Sequence, residues 1–99
     1  TETPVELVTI DGLIDSAEVL AHLRRNEGVR AVLCEGGPRV FGQLVAGDLV
    51  DELFLTMTPV ATGGDATHIL EANLPREARF ELTGLLEADG DLFTRYRRA

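Results

Sequence analysis

The strongest constraint on the fold is a compact apolar run, Val29-Arg30-Ala31-Val32-Leu33-Cys34, that ends on Glu35-Gly36-Gly37-Pro38 and opens into a helical pattern. A continuous apolar run of this length, set between two helical patterns, suits a central parallel strand covered on both faces. Pro38 fits the first helical position, where its missing N–H costs nothing. Val40, Phe41, Leu44 and Val45 then supply an apolar helical stripe, and Gly47 ends it.

The flanking segments extend this pattern. Val5, Leu7, Val8 and Ile10 form a β-prone run before Asp11-Gly12. Asp15 followed by Glu18 matches a capping box, and Val19, Leu20 and Leu23 fall on one side at helical spacing, with Ala17 near them. Arg24 and Arg25 suit the helix end and Gly28 its stop, so a helix is expected over 15–27. Leu53, Leu55 and Met57 alternate with Phe54, Thr56 and Thr58 in a strand closed by Pro59. Residues 61–79 read mostly as loop, with a helical turn near 66–71. Two strand-like runs, 80–87 and 92–98, are joined through Ala88-Asp89-Gly90-Asp91, and Asp-Gly in that setting is a hairpin signal. The order β-α-β-α-β-loop-β-β predicts an α/β, three-layer fold. Its sheet is expected to be mixed and mainly parallel, with right-handed crossovers and a C-terminal antiparallel hairpin.

Charge and composition exclude several functions. The 99 residues carry a formal charge of −8, with 4 Arg against 8 acids in residues 1–49 and 5 Arg against 9 acids in 50–99. No half is basic, so electrostatic nucleic-acid binding is not expected. All nine cations are Arg, which excludes Schiff-base and Walker-type lysines from this chain. The single Cys34 excludes an internal disulfide and a cysteine-based zinc site, and fits a reducing, cytoplasmic setting. No apolar run is long enough to span a membrane, and no signal peptide is visible. One domain, or a fragment of one, is expected over 1–99.

The chemistry concentrates in 34–41. Glycine lets backbone approach a ligand closely, and a helix start offers unpaired N–H groups and partial positive charge. Together these suit a phosphate or pyrophosphate beyond the carboxyl end of a strand. A tight strand-to-helix turn is the plainer account of Gly-Gly-Pro, and the spacing alone leaves both open. Glu35 can accept a ligand hydrogen bond or move a proton; its plainer role is to cap the next helix or pair with an Arg. Cys34 reads as an inert core thiol and Met57 as core filler. His22 and His68 lack metal-ligand spacing. Arg24-Arg25 and Arg97-Arg98 read as solvated pairs, Asp51-Glu52 as a solvent-facing strand start, and Ser16 as a near-cap residue with no catalytic triad around it.

Cys34-Glu35-Gly36-Gly37-Pro38, then Leu44, Leu49-Val50-Asp51-Glu52-Leu53, Pro59-Val60 and Gly63-Gly64 resemble the C-terminal half of the riboflavin-biosynthesis pyrimidine reductase domain, which is similar in fold to dihydrofolate reductase. The resemblance spans roughly residues 5–98. It implies an NADPH-dependent reductase that converts a phosphoribosylamino-pyrimidine to its ribityl form (5-amino-6-(5-phosphoribosylamino)uracil reductase activity). It further implies that Gly36, Gly37, Pro38, Arg39 and Val40 line the cofactor pyrophosphate, with catalytic Glu35 near the nicotinamide and substrate. The family's domain is about twice this length. The expectation is therefore a fragment, inactive alone, whose partners are the preceding half of the domain and a second copy in a homodimer. A non-catalytic oligomerising module, with the run at 29–34 and the terminal hairpin serving assembly, is the alternative; a dihydrofolate reductase-like enzyme with another substrate is a further one.

Overall fold

The computed structural model describes residues 4–9 and 15–99. The chain divides into two units, Thr1–Leu33 and Cys34–Ala99.

The first unit holds one helix, α1 (Ser16–Glu27). Asp15 is extended and caps it, its Oδ1 accepting the Ala17 N–H at 3.1 Å. Glu18 lies in the first turn and Arg24 and Arg25 in the last, as the helix dipole favours. Gly28, at φ 66°, turns the chain left-handed, and the Val29 N–H returns to the Leu23 carbonyl at 3.1 Å. The sequence boundaries of this helix are thus those observed to within one residue.

The strands expected at 5–10 and 29–34 are not formed. Residues 4–9 and 28–37 carry no strand, and Ile10 lies outside the described residues. A strand exists only through a neighbour's backbone groups, and neither run has a paired neighbour among the described residues. Apolar composition alone cannot supply one: Leu7 and Leu33 are 91% and 79% exposed. Cys34 is exposed as well, not a core thiol.

The second unit opens with α2 (Pro38–Ala46), with Pro38 in its first turn as expected. Val45 is the one buried apolar side chain among the described residues, at 7% exposure, and Gly42 is buried beside it. The helix ends through Leu49 N–H to Leu44 C=O at 2.9 Å. The left-handed residue there is Asp48 (φ 57°), while Gly47 keeps an ordinary φ of −85°. Gly42 allows the following loop to pass close: a Cβ at this position would lie 2.5 Å from the Glu71 carbonyl oxygen.

Three strands follow: β1 (Glu52–Met57), β2 (Phe80–Ala88) and β3 (Asp91–Arg98). They pair in the order β1-β3-β2, and every pairing is antiparallel. The expected mainly parallel sheet is therefore not seen among the described residues, because the runs that would supply parallel strands are unpaired. Residues 66–71 contain no helical turn; the segment between β1 and β2 is irregular with bends.

The β2–β3 hairpin follows the sequence signal closely. Asp89 and Gly90 both take positive φ, 52° and 87°, the requirement of a type I′ turn. The Gly90 N–H donates to Glu87 Oε2 at 3.1 Å. The register shifts between Leu82 and Gly84, leaving Thr83 as the extra residue of a bulge. Thr83 Oγ1 donates to the Arg95 carbonyl at 3.1 Å. The bulge places Leu82 and Leu85 on one face with Leu55, Met57 and Leu92, despite their odd spacing. The opposite face carries Phe54, Leu86 and Phe93. Large side chains on both faces stay exposed; Met57, expected in a core, is 65% exposed.

Charged pairs tie the strands together. Arg95 Nη2 donates to Glu52 Oε1 at 2.5 Å, with its guanidinium 5.7 Å from the Phe54 ring centroid. Arg97 donates from Nε and Nη2 to Glu81 Oε2 at 3.1 and 3.0 Å. Arg98 donates to the Asp48 carbonyl and pairs with Asp51 at 3.4 Å. Arg97 and Arg98 are thus bridging groups, not a merely solvated pair; Asp51 is an acidic partner of Arg98, and Glu52 is that of Arg95.

Two substitutions test these constraints. Gly90→Val puts a β-branched side chain at φ 87°, with its Cβ 3.2 Å from Pro59 Cγ, and lowers stability by about 1–3 kcal/mol. Gly42→Ala forces backbone apart and costs about 1–3 kcal/mol. Gly63→Ala, with open space around its Cβ, leaves the denaturation midpoint unchanged. Chemical denaturation of the intact protein checks all three, and an unshifted midpoint for Gly42→Ala would contradict the close approach.

Candidate functional site

The loop from Cys34 to the first turn of α2 lies wholly within the second unit. Gly36 takes φ 91°, a conformation that side-chain-bearing residues rarely adopt, and the Gly36-Gly37 peptide is cis. Gly37 is extended (φ −79°, ψ −158°) and caps α2 without any side-chain hydrogen bond. No atom outside their chain neighbours comes within 4 Å of a Cβ built on Gly36 or Gly37. Space next to both glycines is open, so packing does not explain them.

The first helical bond runs from Phe41 N–H to Gly37 C=O at 2.9 Å. Pro38 has no N–H, so Arg39 and Val40 present the first-turn amides without an intrahelical acceptor. No acidic residue lies in that turn. Val40 is exposed, as are Glu35, Gly36, Gly37 and Arg39; Pro38 is half-buried. The five residues expected to line a phosphate thus form one continuous, open stretch in which Arg39 and Val40 offer free first-turn amides and Pro38 offers none, with the Arg39 cation beside it. That arrangement fits a nucleotide pyrophosphate: donors, partial positive charge and room for close approach coincide.

Glu35 precedes this cradle. It makes no hydrogen bond or ion pair among the described residues, so neither of its plainer roles, cap or Arg partner, is realised. Its carboxylate is exposed and available as an acceptor or a proton carrier.

Two residues of the site escape sequence reasoning. Glu71 belongs to the loop at 61–79. Its N–H donates to the Pro38 carbonyl at 2.9 Å, and its Oε2 lies 3.7 Å from Arg39 Nε. No local pattern announces such a return contact. Gly42 has a fainter signal, a glycine inside a helical stripe where alanine would favour the helix; the reason is the Glu71 backbone against it. Elsewhere, the His22 ring hydrogen-bonds within α1, Nδ1 to Asn26 Nδ2 at 2.9 Å. His68 is exposed, and no group of side chains that could hold a metal ion occurs among the described residues. No helix among them is long and apolar enough to cross a membrane.

The family model described as the RibD C-terminal domain matches residues 1–94. Two solved structures of Acinetobacter baumannii RibD, forms 2 and 1, superpose with TM-scores of 0.77 and 0.75. Each is 21% identical in sequence, and the match covers 88% of this chain but 25% of the RibD chain. The chain thus spans about a quarter of the length of those structures. No curated protein gives a sequence match. The resemblance carried by Glu35-Gly36-Gly37-Pro38 and the motifs after it therefore extends over nearly the whole sequence: the chain belongs to the RibD C-terminal domain family.

Proposed function

We propose that this chain forms part of an NADPH-dependent reductase of riboflavin biosynthesis, which reduces the ribosyl carbon of a phosphoribosylamino-pyrimidine to the ribityl form. The observation that carries the reading is the open cradle at Gly36-Gly37, uncapped and free of carboxylates in its own first turn, in a chain of the RibD C-terminal family. NADPH, when bound, supplies the hydride. The backbone of Gly36, Gly37, Arg39 and Val40 holds the linking phosphates, with Pro38 fixing the helix start and Arg39 adding charge. Reduction consumes one proton with the hydride. Glu35, unpaired and adjacent to the cradle, is the group assigned to orient the substrate amide or to move that proton.

The finer features of the fold join this reading. In the longer protein, the apolar runs at 5–10 and 29–34 pair with further strands and complete the mainly parallel, three-layer sheet. The 99 residues alone are inactive. A cytoplasmic location follows from the cofactor and substrate. The uncovered apolar side chains on both sheet faces favour a second element of the reading, assembly into a homodimer, since exposed apolar surface of this kind marks an interaction surface. Taken alone, that observation also supports the non-catalytic oligomerising module, and light scattering with an NADPH titration separates the two: a dimer indifferent to NADPH is the module.

Two substitutions in the intact protein test the enzyme. Gly37→Leu fills the open space and abolishes the thermal shift produced by NADPH; a retained shift counts against the cradle. Glu35→Gln leaves NADPH affinity unchanged and lowers turnover by about 10²-fold or more. Undiminished turnover removes Glu35 from the mechanism.

A further inference from the structure

One residue outside the glycine loop meets the cradle in three ways. The Glu71 N–H donates to the Pro38 carbonyl at 2.9 Å. The Glu71 carbonyl lies so close to Gly42 that a Cβ there would come within 2.5 Å of its oxygen. Its carboxylate Oε2 stands 3.7 Å from Arg39 Nε. The first two contacts fix the backbone of residue 71 against the first turns of α2, and the third brings its charge there. Arg39 needs such a partner, because a cation in the first turn of a helix opposes the helix dipole, and α2 has no acidic residue of its own in that turn.

We propose that Glu71 is the resident counter-ion of the cradle: it neutralises Arg39 while the site is free, and it opposes a ligand phosphate arriving there. The proposal rests on the reading that the dinucleotide phosphates lie at Gly36-Gly37. The ion pair is exposed, with side chains 88% and 49% accessible for Arg39 and Glu71. Such a pair is weak, so Arg39 exchanges readily to a phosphate. The backbone of residue 71 stays stapled to α2, so the released carboxylate remains within side-chain reach of the bound anion and repels it. That repulsion acts between solvated charges, so salt screens it. Glu71 therefore tunes cofactor affinity and its salt dependence; it touches neither the hydride nor the reacting carbon.

NADPH titration of the intact protein tests this. Glu71→Gln tightens NADPH binding about three- to tenfold at low salt, and the gap from the native protein closes as salt rises from about 0.02 to about 0.5 M. Glu71→Ala, which keeps both main-chain contacts, gives the same tightening. Glu77→Gln removes an equal charge, paired with Arg79, and leaves affinity unchanged; an equal gain there would assign the effect to overall charge and overturn the proposal. Unchanged or weaker binding in both Glu71 variants, with Gly37→Leu still abolishing it, overturns the counter-ion role alone. Binding that survives Gly37→Leu overturns the cradle reading itself, and the proposal with it.

Discussion

The central strand β3 is the element on which the second unit's sheet depends. Among the described residues it is the only strand with a partner on each side, so both ladders run through its backbone. Its charged side chains reinforce the same pairings from the sheet surface, Arg95 to Glu52 of β1 and Arg97 to Glu81 of β2. Thr94 adds a third link, its hydroxyl donating to the Leu55 carbonyl at 2.7 Å. Each exposed pair contributes at most about 1 kcal/mol, so the ladder, not the charges, holds the sheet. Arg98 then anchors the end of β3 to the α2–β1 turn through Asp48 and Asp51. The path from sheet to cradle runs through that turn and along α2.

What could be read from the sequence is what local chemistry determines. Asp15 and Gly28 bound α1 because capping needs only neighbouring residues. Pro38 starts α2 and Asp89-Gly90 turns the hairpin for the same reason. Reading failed where the outcome belongs to partners. The run at 29–34 has the composition of a buried strand but no neighbour to pair with among the described residues, so Val32, Leu33 and Cys34 are exposed. Met57 carries the right alternation, yet nothing described covers its face. The α2 stop falls on Gly47 as the sequence indicates, but the left-handed turn comes one residue later, at Asp48, whose carbonyl accepts from Arg98 at the far end of the chain.

The candidate site divides along the same line. The loop at Glu35-Gly36-Gly37-Pro38 was legible because glycines, a proline and a helix stripe sit in one stretch. The spacing could not choose between a ligand cradle and a tight turn. The structure adds that both glycines face open space and that α2 lacks a side-chain cap. The contribution of Glu71 arises from a loop thirty or so residues away in sequence, held by backbone contacts that no single-sequence pattern encodes.

The bulge at Thr83 carries a consequence for any relative of this chain. Up to Leu82 the residues on the Leu55 and Leu92 face of the sheet fall on even numbers, and from Leu85 onward they fall on odd ones. Removing that one residue would leave an unbroken ladder, with Leu82 and Leu85 two positions apart and still on one face. A one-residue length difference at this point in a related sequence is therefore the presence or absence of the bulge, and a single gap placed there keeps both halves of the strand on their faces.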